Sequence, residues 1–114
     1  MPLDVSKNTD EALVSMRKCL FGEAISYKIE SSKENNIGKA LGELVGGNLS
    51  ILYSLLGSKS SINTKDKILF IEDLDEYLYH LDRMLMNLKR NGYFENLKGL
   101  IVGGMTDMHD NKIP

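Results

Sequence analysis

Apolar residues along this chain change their spacing several times, and each change marks an element. Ala12, Leu13, Met16, Cys19 and Leu20 recur at the three- and four-residue intervals of one helix face. Asn8 lies ahead of them with Glu11 three residues on, a helix start, and Gly22 reads as the stop. Ile25, Tyr27 and Ile29 then alternate with Ser26 and Lys28, the period of a half-buried strand. Glu30 to Gly38 is polar and reads as a loop. Lys39 to Val45 predicts a second strand, Gly46 and Gly47 a tight turn, and Asn48 the cap of the next helix. That helix carries Leu49, Ile51, Leu52, Leu55 and Leu56, so it is expected to be buried, and Gly57 ends it.

Ser58 to Asp66 is a polar connection, and Lys67-Ile68-Leu69-Phe70-Ile71 is the clearest strand of the chain. A longer helix is predicted from about Asp75 to Asn91. Leu78, Leu81, Leu85 and Leu88 share one of its faces, Met84 flanks them, and Gly92 marks the stop. Leu97 and Gly99-Leu100-Ile101-Val102-Gly103 predict another buried strand, and Gly103 to Pro114 reads as a loop. Helices and strands are intermixed, which implies a mixed α+β domain with helices layered on a sheet. The opening Met1-Pro2-Leu3-Asp4 lacks a structured lead-in and the end is loop-like, so the chain is expected to be part of something longer.

Composition narrows the function classes. The 114 residues suit one domain with a real core, and 42% apolar with 26% charged content is ordinary for a globular chain. A net charge of -2 argues against a nucleic-acid footprint, which would cluster Lys and Arg. No apolar run approaches the ~20 residues of a bilayer span, and the start lacks a signal-peptide pattern. Cys19 is alone, which excludes an intrachain disulfide and implies a reducing compartment. On the apolar side of its helix it is expected to be inert core.

Candidate chemistry centres on one carboxylate. Glu72 directly follows an apolar run, so the strand would deliver its charge to the edge of the fold, a costly place without a partner. From the residues alone the simpler reading is a structural acid that caps the next helix or pairs with a lysine. Gly46-Gly47-Asn48 could cradle an anion at a helix N-terminus, yet lacks the ending and spacing of a P-loop and is explained by a strand-to-helix turn. Asp73, Asp75 and Glu76 are most simply charges complementing the dipole of the following helix, with a magnesium site there as a weaker reading. Asp82 and Arg83 are neighbours on a helix and need other partners. His80 is expected to be partly buried mid-helix and His109 a mobile surface residue. Two isolated histidines without cysteine clusters make a poor zinc site. No Gly-x-Ser-x-Gly elbow occurs.

Three segments in order, Gly42-Glu43-Leu44-Val45-Gly46-Gly47-Asn48-Leu49-Ser50, Ile68-Leu69-Phe70-Ile71-Glu72-Asp73 and Tyr79-His80-Leu81-Asp82-Arg83-Met84-Leu85, together resemble the LD-carboxypeptidase family. Gly99-Leu100-Ile101-Val102-Gly103-Gly104 is a further matching strand. The family comprises serine peptidases, including muramoyltetrapeptide carboxypeptidases and microcin C self-immunity peptidases. The resemblance covers Met1 to Pro114 and implies most of the family's C-terminal, swivelling β/β/α domain, truncated at its end. It further implies that the N-terminal domain with the nucleophilic serine and the segment with the triad histidine are expected to lie outside these residues. Glu72 matches the family's triad glutamate, whereas His109 lacks the glycine-histidine setting and takes no such role. Gly46, Gly47 and Asn48 resemble a loop near the cleft between domains, a candidate substrate-binding element.

The resemblance implies release of the terminal D-alanine from a murein tetrapeptide through an acyl-enzyme, without metal or cofactor, in cytoplasmic peptidoglycan recycling. The expected partners are the serine-bearing domain of the same parent, a murein peptide, and a second copy in a homodimer, with neither nucleic acid nor membrane. This chain alone is expected to be inactive. The competing reading is a non-catalytic interaction or dimerisation module.

Overall fold

The computed structural model describes residues 8–111, and the chain divides into two compact units at Ile37/Gly38. The first unit holds one helix, α1 (Asp10–Leu20). Its cap is Thr9, one residue later than expected, because the Thr9 hydroxyl accepts a hydrogen bond from the Ala12 amide at 3.1 Å. Asp10 and Glu11 in the first turn and Arg17 and Lys18 in the last complement the helix dipole. Gly22, at φ 73, takes the left-handed conformation that ends it. No residue of α1 is buried, and Cys19 is exposed rather than core. The strand expected at Ile25, Tyr27 and Ile29 does not form. Alternation predicts a strand only where a neighbour supplies hydrogen bonds and a face to cover, and all three side chains are exposed.

The second unit is built on a three-stranded, all-parallel sheet in the order β1-β2-β3. It runs β1 (Leu44–Asn48), α2 (Leu49–Ser54), β2 (Ile68–Leu74), α3 (Leu78–Arg90), β3 (Gly99–Thr106). Parallel neighbours cannot be joined by a tight hairpin, so each connection carries a helix. β1 begins later than expected and contains Gly46 and Gly47, which are strand residues rather than a turn. The reason lies in β2: a methyl group at Gly46 would sit 1.9 Å from the Phe70 carbonyl oxygen. Glycine at φ 122 lets the two backbones meet there.

Leu49, Leu52, Leu69, Ile71, Met84, Leu88 and Tyr93 form the core, between α2, α3 and one face of the sheet. Leu49, Leu69, Met84 and Leu88 are fully buried, each contributing about 1.5–3 kcal/mol. Met84 is therefore central to its helix face, whereas Leu78 is exposed. On α2, Ile51 likewise faces outward, since a short helix against a sheet buries one stripe only. Thr64 is buried in the polar connection and donates its hydroxyl hydrogen to the Tyr93 carbonyl at 2.9 Å, tying the two loops together. β3 extends through Thr106 and, contrary to expectation, leaves Leu100, Ile101 and Val102 largely exposed. It is an edge strand with no helix after it among the described residues.

Candidate active site

Strand β2 organises the site. Its side chains alternate, with Leu69, Ile71 and Asp73 buried beneath the helices and Ile68, Phe70 and Glu72 half-buried toward the other face. The strand does not stop at Ile71 but continues to Leu74, so it presents two adjacent carboxylates to opposite faces. Period-two alternation through Leu69, Ile71 and Asp73 was the signal for the second one. It is overlooked when a strand is ended at its first charge.

Glu72 lies where the sheet changes register. It is paired with Asn48 of β1, but between the Ile71–Val102 and Asp73–Met105 pairs β3 carries one residue more than β2. This bulge leaves Glu72 without a register partner on β3. Bulges of this kind re-aim side chains. Gly103, in the bulge, passes close beneath: a methyl group there would be 2.7 Å from the Phe70 ring and 3.2 Å from Glu72 Cβ. Among the described residues no ion pair or side-chain hydrogen bond engages the Glu72 carboxylate. It caps nothing and pairs with no lysine among the described residues, and it is held on a strand rather than a loop.

Asp73 is the opposite case. It is 3% exposed and does not serve the helix that follows it. Its Oδ2 accepts from the Ser50 amide at 3.1 Å, and its Oδ1 from Asn48 Nδ2 at 3.2 Å and the Leu74 amide at 2.8 Å. Asn48 completes the junction as expected of a cap: its Oδ1 accepts from the Ile51 amide at 3.1 Å and from the Ser50 hydroxyl at 2.7 Å. The end of β1, the start of α2 and the end of β2 are thereby locked by one buried carboxylate and one amide.

Beyond β2 the chain bends at Asp75, at φ 58. His109 is not a free surface residue. Its Nε2 lies 2.5 Å from Asp75 Oδ1, and its backbone bridges to Glu76 and Leu78, each at 2.9 Å. His80 stands early in α3, with Nδ1 2.8 Å from Glu76 Oε2 and its ring edge-on to Tyr53. Arg83 lies over the Tyr79 ring, 5.7 Å from its centre. Both imidazoles are thus occupied by local carboxylates. No group of three or more His, Cys, Asp or Glu side chains placed to hold a metal ion occurs among the described residues.

A family model described as the LD-carboxypeptidase C-terminal domain matches residues 41–113. A probable murein peptide carboxypeptidase of Bacillus subtilis (strain 168) is 55% identical over 65 residues, covering 57% of this chain and 20% of that protein. A putative carboxypeptidase of Rickettsia conorii is 44% identical over 62 residues, covering 54% and 20%. Among solved structures, the muramoyltetrapeptide carboxypeptidase from Oxalobacter formigenes aligns with a TM-score of 0.59 at 33% identity, over 71% of this chain and 26% of that one. The microcin C7 self-immunity protein MccF, in its inactive mutant apo state, aligns with a TM-score of 0.65 over 87% and 38%; at 24% identity this is likeness of fold alone. The chain spans about a fifth of the length of the curated relatives it matches.

Proposed function

This chain belongs to the LD-carboxypeptidase family, its residues 41–113 matching the C-terminal domain, and from that premise we propose that it supplies the acid of a serine carboxypeptidase triad. The parent enzyme removes the terminal D-alanine from murein tetrapeptide in peptidoglycan recycling, and Glu72 is its triad glutamate. The observation that carries the reading is the state of Glu72: half-buried on a core-backed strand, opposite a bulge, and engaged by no other side chain among the described residues.

A triad acid has one task. It accepts the Nδ1 hydrogen of an imidazole, fixes the tautomer in which Nε2 takes the serine proton, and stabilises the imidazolium formed as the tetrahedral intermediate develops. A carboxylate already committed to a lysine or a helix cap could not do this. Serine and histidine come from other parts of the parent and meet Glu72 in the assembled site. Gly46, Gly47 and Asn48 line the substrate side of the site, with Gly46 letting β1 approach Phe70 of β2 and Asn48 capping α2. The reaction proceeds through an acyl-enzyme and calls on neither metal nor cofactor. An exposed lone thiol at Cys19 suits a reducing compartment, and we place the enzyme in the cytoplasm.

Glu72→Gln in the full-length parent tests this reading. The neutral amide keeps the shape but holds the imidazole in the wrong tautomer, so kcat for D-alanine release falls about 10⁴-fold with KM little changed. Turnover near that of the unaltered enzyme would remove Glu72 from the triad.

A further inference from the structure

We infer that Asp73 is a positioning residue for Glu72, acting through the backbone of β2. The inference rests on the assignment of Glu72 as the triad acid. At Glu72 the sheet is held on one side only. β1 pairs with it through Asn48, while on the β3 side the bulge at Gly103 and Gly104 interrupts the ladder. A strand released on one edge is free to twist there, and the direction of the Glu72 side chain turns with it. The next residue removes that freedom. Asp73, 3% exposed, is tied by Asn48 Nδ2, the Ser50 amide and the Leu74 amide, so β2 is anchored one peptide beyond Glu72.

The anchor reaches the same residue that pairs with Glu72. Asn48 is the register partner of Glu72 and the hydrogen-bond donor to Asp73, which makes a closed arrangement of two strands around the acid. The three donors aim at a carboxylate: all are N–H groups, and both Asp73 oxygens are used. A neutral amide in its place can accept through one oxygen only. Its NH₂ group would face an N–H donor, and the strand end must shift to relieve that contact.

The test is a double-mutant cycle in the full-length parent. Asp73→Asn is expected to lower kcat about 10–100-fold, the order expected of a misplacement of about 1 Å, while KM stays within about 2-fold. In the Glu72→Gln background the same substitution should change kcat by less than about 2-fold, because a positioning residue has nothing left to position. A substitution that merely loosens the fold would lower turnover by the same factor in both backgrounds, and that result overturns the inference. A folded Asp73→Asn enzyme with normal kcat overturns it too. If Asp73→Asn fails to fold, Asn48→Ser carries the same cycle: it keeps a capping oxygen and removes the longer donor, with an expected fall in kcat of about 3–10-fold. Loss of the Glu72→Gln effect itself would instead strike at the triad assignment, so the two failures are separable.

Discussion

Adjacent carboxylates of one strand have opposite fates because side-chain direction reverses at every residue. Glu72 is left open and Asp73 is enclosed by three N–H donors. Enclosure has a stability consequence that is independent of catalysis. Asp73→Ala strands those donors and is expected to cost about 1–3 kcal/mol, read as a shift in the urea midpoint of this chain. The glycines beside the acid can be ranked in the same way. Gly46→Ala drives a methyl group into the Phe70 carbonyl and should cost about 2–5 kcal/mol. Gly47→Ala meets nothing within 4 Å, and at φ 150 its cost is backbone strain alone, about 1–3 kcal/mol. Equal losses at both positions would contradict the close approach of β1 and β2. His80 and Arg83, in a segment that first suggested the family, engage Glu76 and the rings of Tyr53 and Tyr79 rather than Glu72.

Elements were legible in proportion to the regularity of their apolar spacing. α3 and the core of β2 follow directly from the pattern, and Gly22, Gly57 and Gly92 each take positive φ at a helix end as their positions suggested. Boundaries were harder, because strands end where partners end. β2 runs past Ile71 through Glu72, Asp73 and Leu74, since β1 continues beside it to Glu72 and β3 to Leu74. The segment at Ile25, Tyr27 and Ile29 shows the reverse: a correct period with no partner and therefore no strand. Burial within α2 and α3 separates the two kinds of leucine. Leu88→Ala, fully buried, should lose about 2–5 kcal/mol, whereas Ile51→Ala, at 59% exposure, should stay within about 0.5 kcal/mol. Thermal unfolding of the two variants checks the contrast.

The chain as a whole comprises a helical unit to Ile37 and a sheet-based unit from Gly38. Between α1 and β1 no regular structure forms, and the side chains there are exposed. Limited proteolysis should therefore cut first between about Glu23 and Leu41, leaving a resistant fragment that retains β1 to β3, identifiable by mass spectrometry. Cuts first within β2 or α3 would contradict this division. Family membership, the core of β2 and the apolar face of α3 were present in the linear order of residues. Apolar period and motif spacing are local quantities, and a local pattern specifies a family, and an element only where its partners are in place. The burial of Asp73, the bulge opposite Glu72, the passage of Gly46 beneath Phe70 and the pairing of His109 with Asp75 were not. Each joins residues remote in the chain, so each exists only once parallel strands have been brought into register and made to share their hydrogen bonds.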